Sequence, residues 1–199
     1  MRLPGPGEGP LDHLLPEARW REMLAAAPGP EDWLAALSQA SGVYFFPSRE
    51  WPGRLVRWLR RLKVARLLEA GAGRGYLSAA LGPLCAAAGI SFLAVDRGQG
   101  EFVADLPAHP LVQPGDAFQA VQDWRPDLLL YAWPPPGQSV EAMCRAPGLH
   151  YVVVVGEAGG GVTGAPEDWQ TLRHRDSPAL RRFGRGRTGP ARHRVTVFW

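Results

Sequence analysis

One carboxylate followed by three alternating glycines, Glu69-Ala70-Gly71-Ala72-Gly73-Arg74-Gly75, is the most chemically suggestive stretch of this 199-residue chain. An apolar run (Val64, Ala65, Leu67, Leu68) leads into it, and a helix-like run from Tyr76 to Leu84 follows. Strand, glycine turn and helix together bring bare backbone N–H groups and a helix N-terminus up to a ligand. The spacing argues against nucleotide phosphates. A G-x-G-x-x-G fingerprint starting at Gly71 needs glycine at 76, where Tyr76 stands, and one starting at Gly73 needs glycine or alanine at 78, where Ser78 stands. A Walker loop needs Gly-Lys-Ser/Thr, and Lys63 is the only lysine. The bland alternative is a glycine-rich turn that holds no ligand.

In a doubly wound sheet, ligands lie outside the carboxyl ends of the strands, so the residues closing each predicted strand are the next candidates. SFLAVD closes on Asp96, LVQPGDAF carries Asp116 and Ala117, and YVVVVGE closes on Glu157 before the glycine-rich run 158–164. The strand starting at Asp127 runs into Tyr131-Ala132-Trp133-Pro134-Pro135-Pro136-Gly137. That proline-stiffened loop presents an indole whose face suits a cationic or planar group; packing of Trp133 into the core is the alternative. Glu157 has the chemistry to bind an amine or take a proton, or to organise the glycine loop by accepting its N–H groups.

The elements that must position these groups alternate. Strands are predicted at Ala65–Glu69, Ser91–Asp96, Leu111–Pro114, Asp127–Trp133, Tyr151–Glu157 and Arg194–Trp199. Runs such as Leu128-Leu129-Leu130 and Val152–Val155 imply strands buried on both faces, as in a parallel sheet covered by helices. The last strand alternates instead. Between Asp96 and Asp116, Gly98, Gly100, Pro107 and Pro110 leave room only for an abbreviated crossover. Before the first strand, helices are expected over Leu11–Ala27, over Asp32–Ala40 and from about Arg49, capped by Ser48, to Leu62. The last has Trp51, Leu55, Trp58, Leu59 and Leu62 on one face and Arg54, Arg57, Arg60 and Arg61 largely on the other. Residues 1–50 thus read as an N-terminal helical cap and 51–199 as the ligand-binding domain.

Composition bounds the rest. Hydrophobic residues make up 46% and charged residues 21%, which is globular rather than disordered. Net charge is +3 with pI near 9.2. The basic excess concentrates in 173–194, where Arg173, Arg175, Arg181, Arg182, Arg185, Arg187, Arg192 and Arg194 face Asp176 alone. Such a cluster fits phosphates or an acidic substrate, but no RNP-type aromatic motif or zinc knuckle accompanies it. Cys85 and Cys144 lack metal-ligand spacing, and His13, His109 and His150 are scattered, so no metal site is expected. The first residues lack an uninterrupted apolar run and no stretch reaches membrane-spanning length, which makes a cytoplasmic protein the expectation.

Glu69-x-Gly71-x-Gly73-x-Gly75 resembles motif I of the class I S-adenosylmethionine-dependent methyltransferases without a mismatch, and the resemblance covers roughly residues 64–160. It implies a Rossmann-like α/β fold, a mostly parallel seven-stranded sheet with helices on both faces. The last strand would lie antiparallel near the sheet edge. It further implies S-adenosylmethionine as cofactor, with Glu69, Gly71, Gly73 and Gly75 around the methionine part. Asp96 would take the ribose hydroxyls, and Asp116 with Ala117 the adenine edge. Amine-directed members carry Asn/Asp-Pro-Pro-aromatic where this chain has Trp133-Pro134-Pro135-Pro136, so that acceptor class loses its main support. The pairing of this loop with the later glycine loop looks like a little-described branch. Methyl transfer to a small or medium-sized molecule is the implied function, with Tyr131, Trp133 and Glu157 placed around the acceptor. A catalytically silent binding or scaffold protein and an RNA methyltransferase using the arginine segment are the rivals.

Overall fold

The computed structural model describes residues 3–5, 7–98, 107–157, 163–180, 183–184 and 193–199. The continuous apolar runs form the middle of a seven-stranded sheet. Its members are β2 (Arg66–Ala70), β3 (Ser91–Asp96), β4 (Val112–Pro114), β5 (Leu128–Ala132), β6 (Tyr151–Glu157), β7 (His174–Asp176) and β9 (His193–Phe198), ordered β4-β3-β2-β5-β6-β9-β7. All pairs from β4 to β6 are parallel. β9 lies antiparallel between β6 and β7, with Val154 opposite Thr196. The strand order reverses between β2 and β5, which opens a crevice at their carboxyl ends. Glu69, Gly71 and Tyr131 stand there.

Each face of the sheet has its own core. Leu67, Leu130, Val153 and Val155 pack against α3 (Trp51–Arg61) and α4 (Ser78–Ala87). Leu68, Ala70, Leu129, Val152 and Val154 pack under α5 (Ala117–Trp124), α6 (Glu141–Cys144) and α7 (Asp168–Thr171). On α3, Trp51, Leu55 and Leu59 are fully buried while Arg57, Arg60 and Arg61 are exposed, the division that the spacing predicts. Full burial of a side chain of that size contributes about 1.5–3 kcal/mol. The Trp51 indole donates to the Leu180 carbonyl at 2.5 Å, tying α3 to the segment before β8 (Phe183–Gly184). β8 pairs with β1 (Phe45–Phe46) in a separate two-stranded sheet.

Several boundaries differ from the sequence expectation. The first helix, α1, spans only Glu17–Ala26, because Pro16 sits at its N-cap; residues 11–14 form turns. α2 runs over Pro30–Ser41 and ends on Gly42 in the left-handed conformation. Ser48 does not cap α3. Glu50 holds that position without a side-chain bond, and the Trp51 amide donates to the Ser48 carbonyl instead. β7 is a strand that the sequence does not announce, since His174-Arg175-Asp176 has no apolar side chain and borders the sheet. Most of the crossover between Asp96 and Asp116, residues 99–106, lies outside the described residues. Among the described residues no helix is long and apolar enough to cross a membrane.

Candidate functional site

The glycine loop is shaped by three left-handed residues, with φ of +60° at Gly71, +56° at Gly73 and +82° at Gly75. Only glycine takes that conformation without cost, but the three positions differ in what surrounds them. A Cβ on Gly71 would lie 2.8 Å from Tyr131 Cε2, and one on Gly75 would lie 2.7 Å from Val112 Cγ2 and 2.8 Å from His109 Cβ. A Cβ on Gly73 would meet nothing within 4 Å. The outer two glycines are therefore required for packing, and the central one faces open space. Its N–H donates to Asp96 Oδ2 at 2.7 Å, and Gly98 N–H donates to Asp96 Oδ1 at 2.7 Å. The Ala72 amide also bonds the Val95 carbonyl at 3.1 Å. The glycine loop and the end of β3 thus form one hydrogen-bonded rim.

Glu69 lies under that rim, 2% exposed, and its carboxyl accepts from Ser78 Oγ at 2.8 Å. Burial pushes its pKa up to about 8; the Ser78 bond opposes the rise and the Asp96 charge adds to it. At neutral pH the bare protein holds Glu69 protonated. Ser78, the first residue of α4, is the partner that the motif alone does not reveal.

Asp116 is the N-cap of α5, with Oδ1 accepting from the Gln119 amide at 2.8 Å. Its Oδ2 accepts from the Arg97 guanidinium. Ala117 is the first residue of α5. Asp96 and Asp116 are held to neighbouring strand ends, because the register sets Asp96 beside Pro114 and the Gly115 amide bonds the Asp96 carbonyl at 3.0 Å.

The three residues predicted around an acceptor do not share one face. Tyr131 packs into the core under α5 and α6, 8% exposed, with its ring edge supporting Gly71. Glu157 follows Val153 and Val155 on the opposite face, the face to which Leu67 and hence Glu69 belong. Trp133 lies beyond the strand end with φ +63°, an uncommon conformation for a bulky side chain and one that breaks the strand alternation. Its amide donates to the Val155 carbonyl at 2.7 Å, and its half-buried indole stacks on Tyr44 of the N-terminal segment with ring centroids 6.0 Å apart. The indole therefore packs against the N-terminal segment, between core and solvent.

The loops after β5 and β6 are fastened together. Gly164 N–H donates to the Pro134 carbonyl at 3.0 Å, and Gly137 N–H donates to the Gly164 carbonyl at 2.9 Å. Buried Asp168 accepts from Ser139 Oγ at 2.7 Å and from the Val140 amide at 2.8 Å. Thr163 fills the space beside Gly156, where a Cβ would lie 2.5 Å from its Cγ2, and its Oγ1 accepts from the Glu157 amide at 2.9 Å. Residues 158–162, with Gly159, Gly160 and Gly161, fall outside the described residues.

The N-terminal segment closes over the start of α4. His13 Nε2 bonds the Tyr76 carbonyl at 2.8 Å, Tyr76 OH donates to the His13 carbonyl at 3.1 Å, and Leu14 packs with Tyr76 and Ala80. Sequence reading assigned no role to His13, Tyr44, Arg97 or Asp168; their partners lie far along the chain. Of the arginine segment, Arg173, Arg175 and Arg194 are described; Arg175 is exposed, and Arg194 pairs with Asp176 at 3.0 Å. Arg181, Arg182, Arg185, Arg187 and Arg192 lie outside the described residues. Among the described residues no three His, Cys, Asp or Glu side chains gather as a metal site.

No family model and no curated protein matches the chain. Solved structures similar to it include a putative O-methyltransferase from Klebsiella pneumoniae, at 14% identity over 92% of this chain and 98% of that one, TM-score 0.46. The methyltransferase domain of bacterial CtHen1-C is 14% identical over 74% and 95%, TM-score 0.45. Human N-acetylserotonin methyltransferase, solved with SAM, is 12% identical over 96% and 72%, TM-score 0.41. The sheet's own strand order and its antiparallel β9, rather than these distant similarities, give the chain the class I methyltransferase fold.

Proposed function

We propose that the protein is an S-adenosylmethionine-dependent methyltransferase acting on a small or medium-sized acceptor. The observation that carries this reading is Gly73. It takes a left-handed conformation, faces open space and gives its N–H to Asp96, the acid expected at the ribose. Neighbouring side chains crowd the outer two glycines, so Gly73 is the point of the loop where a ligand has room to approach the backbone.

The residues present fit the cofactor. Glu69 and the Gly71–Gly75 loop would hold the methionine end, Asp96 the ribose hydroxyls and the Asp116–Ala117 turn the adenine. Each Asp96 oxygen has one backbone donor and retains a lone pair for a hydroxyl. When bound, the cofactor supplies a sulfonium-activated methyl group. The chain's own task is to exclude water and to align the acceptor nucleophile with the S–CH₃ axis, and orientation of that kind supplies roughly 7–11 kcal/mol in favourable cases. Tyr131 supports the glycine loop from beneath. Trp133, clamped between the Val155 carbonyl and Tyr44, gives the acceptor a flat wall, and Glu157 takes up its proton or binds its amine.

Calorimetry with S-adenosylhomocysteine, followed by an acceptor screen with methyl-labelled S-adenosylmethionine against metabolites and total RNA, tests the reading. Binding that is lost in Gly73→Arg, together with label transferred to a small molecule, supports it. A wild type that binds no S-adenosylhomocysteine removes it, and label appearing in RNA alone replaces the acceptor class.

A further inference from the structure

The amino ends of the parallel strands, one strand length away from the crevice, carry a surface of their own. α3 runs towards that end, with Arg60 and Arg61 in its last turn and Arg57 one turn earlier, all three exposed. Lys63, the only lysine of the chain, follows and leads into β2. Asp127 ties the neighbouring strand starts together. Its Oδ2 accepts from the Ala65 and Arg66 amides at 2.6 and 2.9 Å, its amide donates to the Arg66 carbonyl at 3.0 Å, and its carbonyl accepts from the His150 amide at 2.9 Å. Lys63, Arg66 and Arg125 thus border one hydrogen-bonded rim. On its other side, residues 77–95 of α4 and β3 contain no charged side chain.

Elsewhere in the molecule arginine is paired: Arg54 with Glu17, Arg97 with Asp116 and Arg145 with Glu141. Among the described residues none of Arg57, Arg60, Arg61, Lys63 and Arg125 has a carboxylate partner, and Arg66 lies over the Trp124 ring at 4.6 Å. The nearby acids are engaged, Asp127 as above and Asp123 through Gln119 Nε2 at 2.8 Å. Two of the three described non-glycine residues with a left-handed backbone are cations of this rim, Lys63 at φ +57° and Arg125 at φ +49°. A helix C-terminus favours a cation, but Gly42 and Gly89 follow α2 and α4 in the same conformation without one. At 63 and 125 the chain accepts a strained backbone and gains exposed charge.

We propose that this rim, Arg57, Arg60, Arg61, Lys63, Arg66 and Arg125, docks the phosphate backbone of a nucleic acid without reading its sequence. Charge selects the occupant. A guanidinium fork matches phosphate oxygens, and backbone binding requires cations alone. A protein interface needs an apolar centre, and lasting attachment to a membrane needs an apolar or lipid anchor besides a basic patch. The exposed large apolar side chains are Leu15, Leu111, Phe118 and Trp199, none of them on this rim. A strand held here lies at the end of the sheet opposite the glycine loop, so it is a docking partner and not the methyl acceptor. The proposal is therefore independent of the function proposed above.

Fluorescence anisotropy of the full chain with a labelled oligouridylate, over a series of salt concentrations, tests this. Wild-type affinity should fall steeply with salt, the log–log slope growing by about 0.7 for each phosphate neutralised. Lys63→Gly with Arg125→Gly relieves two left-handed positions, so the fold is kept, and the slope should become shallower by about 1.4. Adding Arg60→Gln and Arg61→Gln, exposed helix positions that glutamine suits, should bring that change to about 2.8. The variant Arg19→Gln, Arg21→Gln, Arg145→Gln, Arg175→Gln removes the same charge elsewhere and should keep the wild-type slope. A wild type that binds no oligouridylate at about 100 mM salt overturns the proposal. So does an equal loss in the two fourfold variants, which would make the binding a property of net charge. Polyglutamate that competes as well as the oligouridylate would assign the rim to an acidic protein instead, and rim-dependent binding to phosphatidylserine vesicles alone would assign it to a membrane.

Discussion

Replacing Glu69 by Gln should leave the fold intact and change how its stability responds to pH. The carboxyl is fully enclosed, accepts from Ser78 Oγ at 2.8 Å and has its pKa raised from 4.5 to about 8, chiefly by burial. In the unfolded chain it ionises near its ordinary value. Between pH 4.5 and 8 the folded protein therefore binds a proton that the unfolded chain has lost, and stability falls as pH rises. The neutral carboxyl carries no penalty below 4.5, and the full penalty is present above 8. At about 1.4 kcal/mol per pKa unit, the rise amounts to about 5 kcal/mol as a ceiling, which local relaxation reduces. The amide introduced by Glu69→Gln does not titrate and keeps an oxygen for the Ser78 hydroxyl. Urea unfolding at pH 5, 6.5 and 8 should show the variant gaining on the wild type at each step, with unchanged m-values. A stability difference that does not change with pH would refute the enclosed, protonated Glu69.

The same residue links pH to the ligand. An ammonium brought close to Glu69 favours its ionised form, so binding S-adenosylhomocysteine below pH 8 should release a proton. Calorimetry in buffers of different ionisation enthalpy measures that release directly. It should vanish in Glu69→Gln, with weaker binding. Equal affinity and equal proton release in the two proteins would mean that the ammonium lies elsewhere.

Gly71→Ala sets a methyl against Tyr131 at 2.8 Å in a left-handed backbone; thermal melting should show a loss of about 2–4 kcal/mol. Gly73→Ala pays only the backbone cost, about 1 kcal/mol, yet should lose S-adenosylhomocysteine binding, so that the two variants separate packing from ligand space. Asp168→Ala leaves the Ser139 hydroxyl and the Val140 amide without their acceptor; denaturant unfolding should show about 2–3 kcal/mol lost, and turnover should fall as the two loops part. Glu157→Gln should lower turnover with little change in cofactor affinity, and an equal loss of both would assign Glu157 to the loop instead. Neutralising Arg181, Arg182, Arg185 and Arg187 together should leave turnover on a small acceptor unchanged; RNA binding that survives physiological salt and disappears in that variant would overturn the small-molecule class.

What the sequence made legible was local or periodic. Gly71, Gly73 and Gly75 can be read because a left-handed backbone demands glycine wherever it occurs, and the apolar runs of β5 and β6 can be read because a two-sided sheet demands them. The places of Asp96 at the end of β3 and of Asp116 just before α5 were legible from the strand pattern. What stayed hidden depends on contacts across the chain. Tyr44 meets Trp133, His13 meets Tyr76, and Asp168 meets Ser139 and Val140; no spacing announces any of them. Tyr131 looked like an acceptor-facing residue because it ends a strand, but strand alternation turns it into the core beneath Gly71. β7 escaped because an edge strand three residues long needs no apolar pattern.

The acceptor is illegible for a chemical reason. In the proposed methyl transfer the sulfonium is already activated for displacement, so the reaction requires neither a triad nor a metal, and apart from Glu157 the residues that would select the acceptor act through shape. In this chain the proposed acceptor would lie where three segments meet: the loop after β5, the loop after β6 and the N-terminal segment. The first two are fixed to each other by Gly164 and Asp168, and Trp133 reaches across to Tyr44 of the third. A left-handed tryptophan stores strain of order 1–3 kcal/mol, and such strain persists only where the surrounding structure over-determines it. The Val155 carbonyl and the Tyr44 ring supply that constraint. Under the proposed function, specificity would be set where the N-terminal segment meets the strand ends, while the glycine loop and Asp96 would carry the part of the site whose chemistry does not depend on the acceptor.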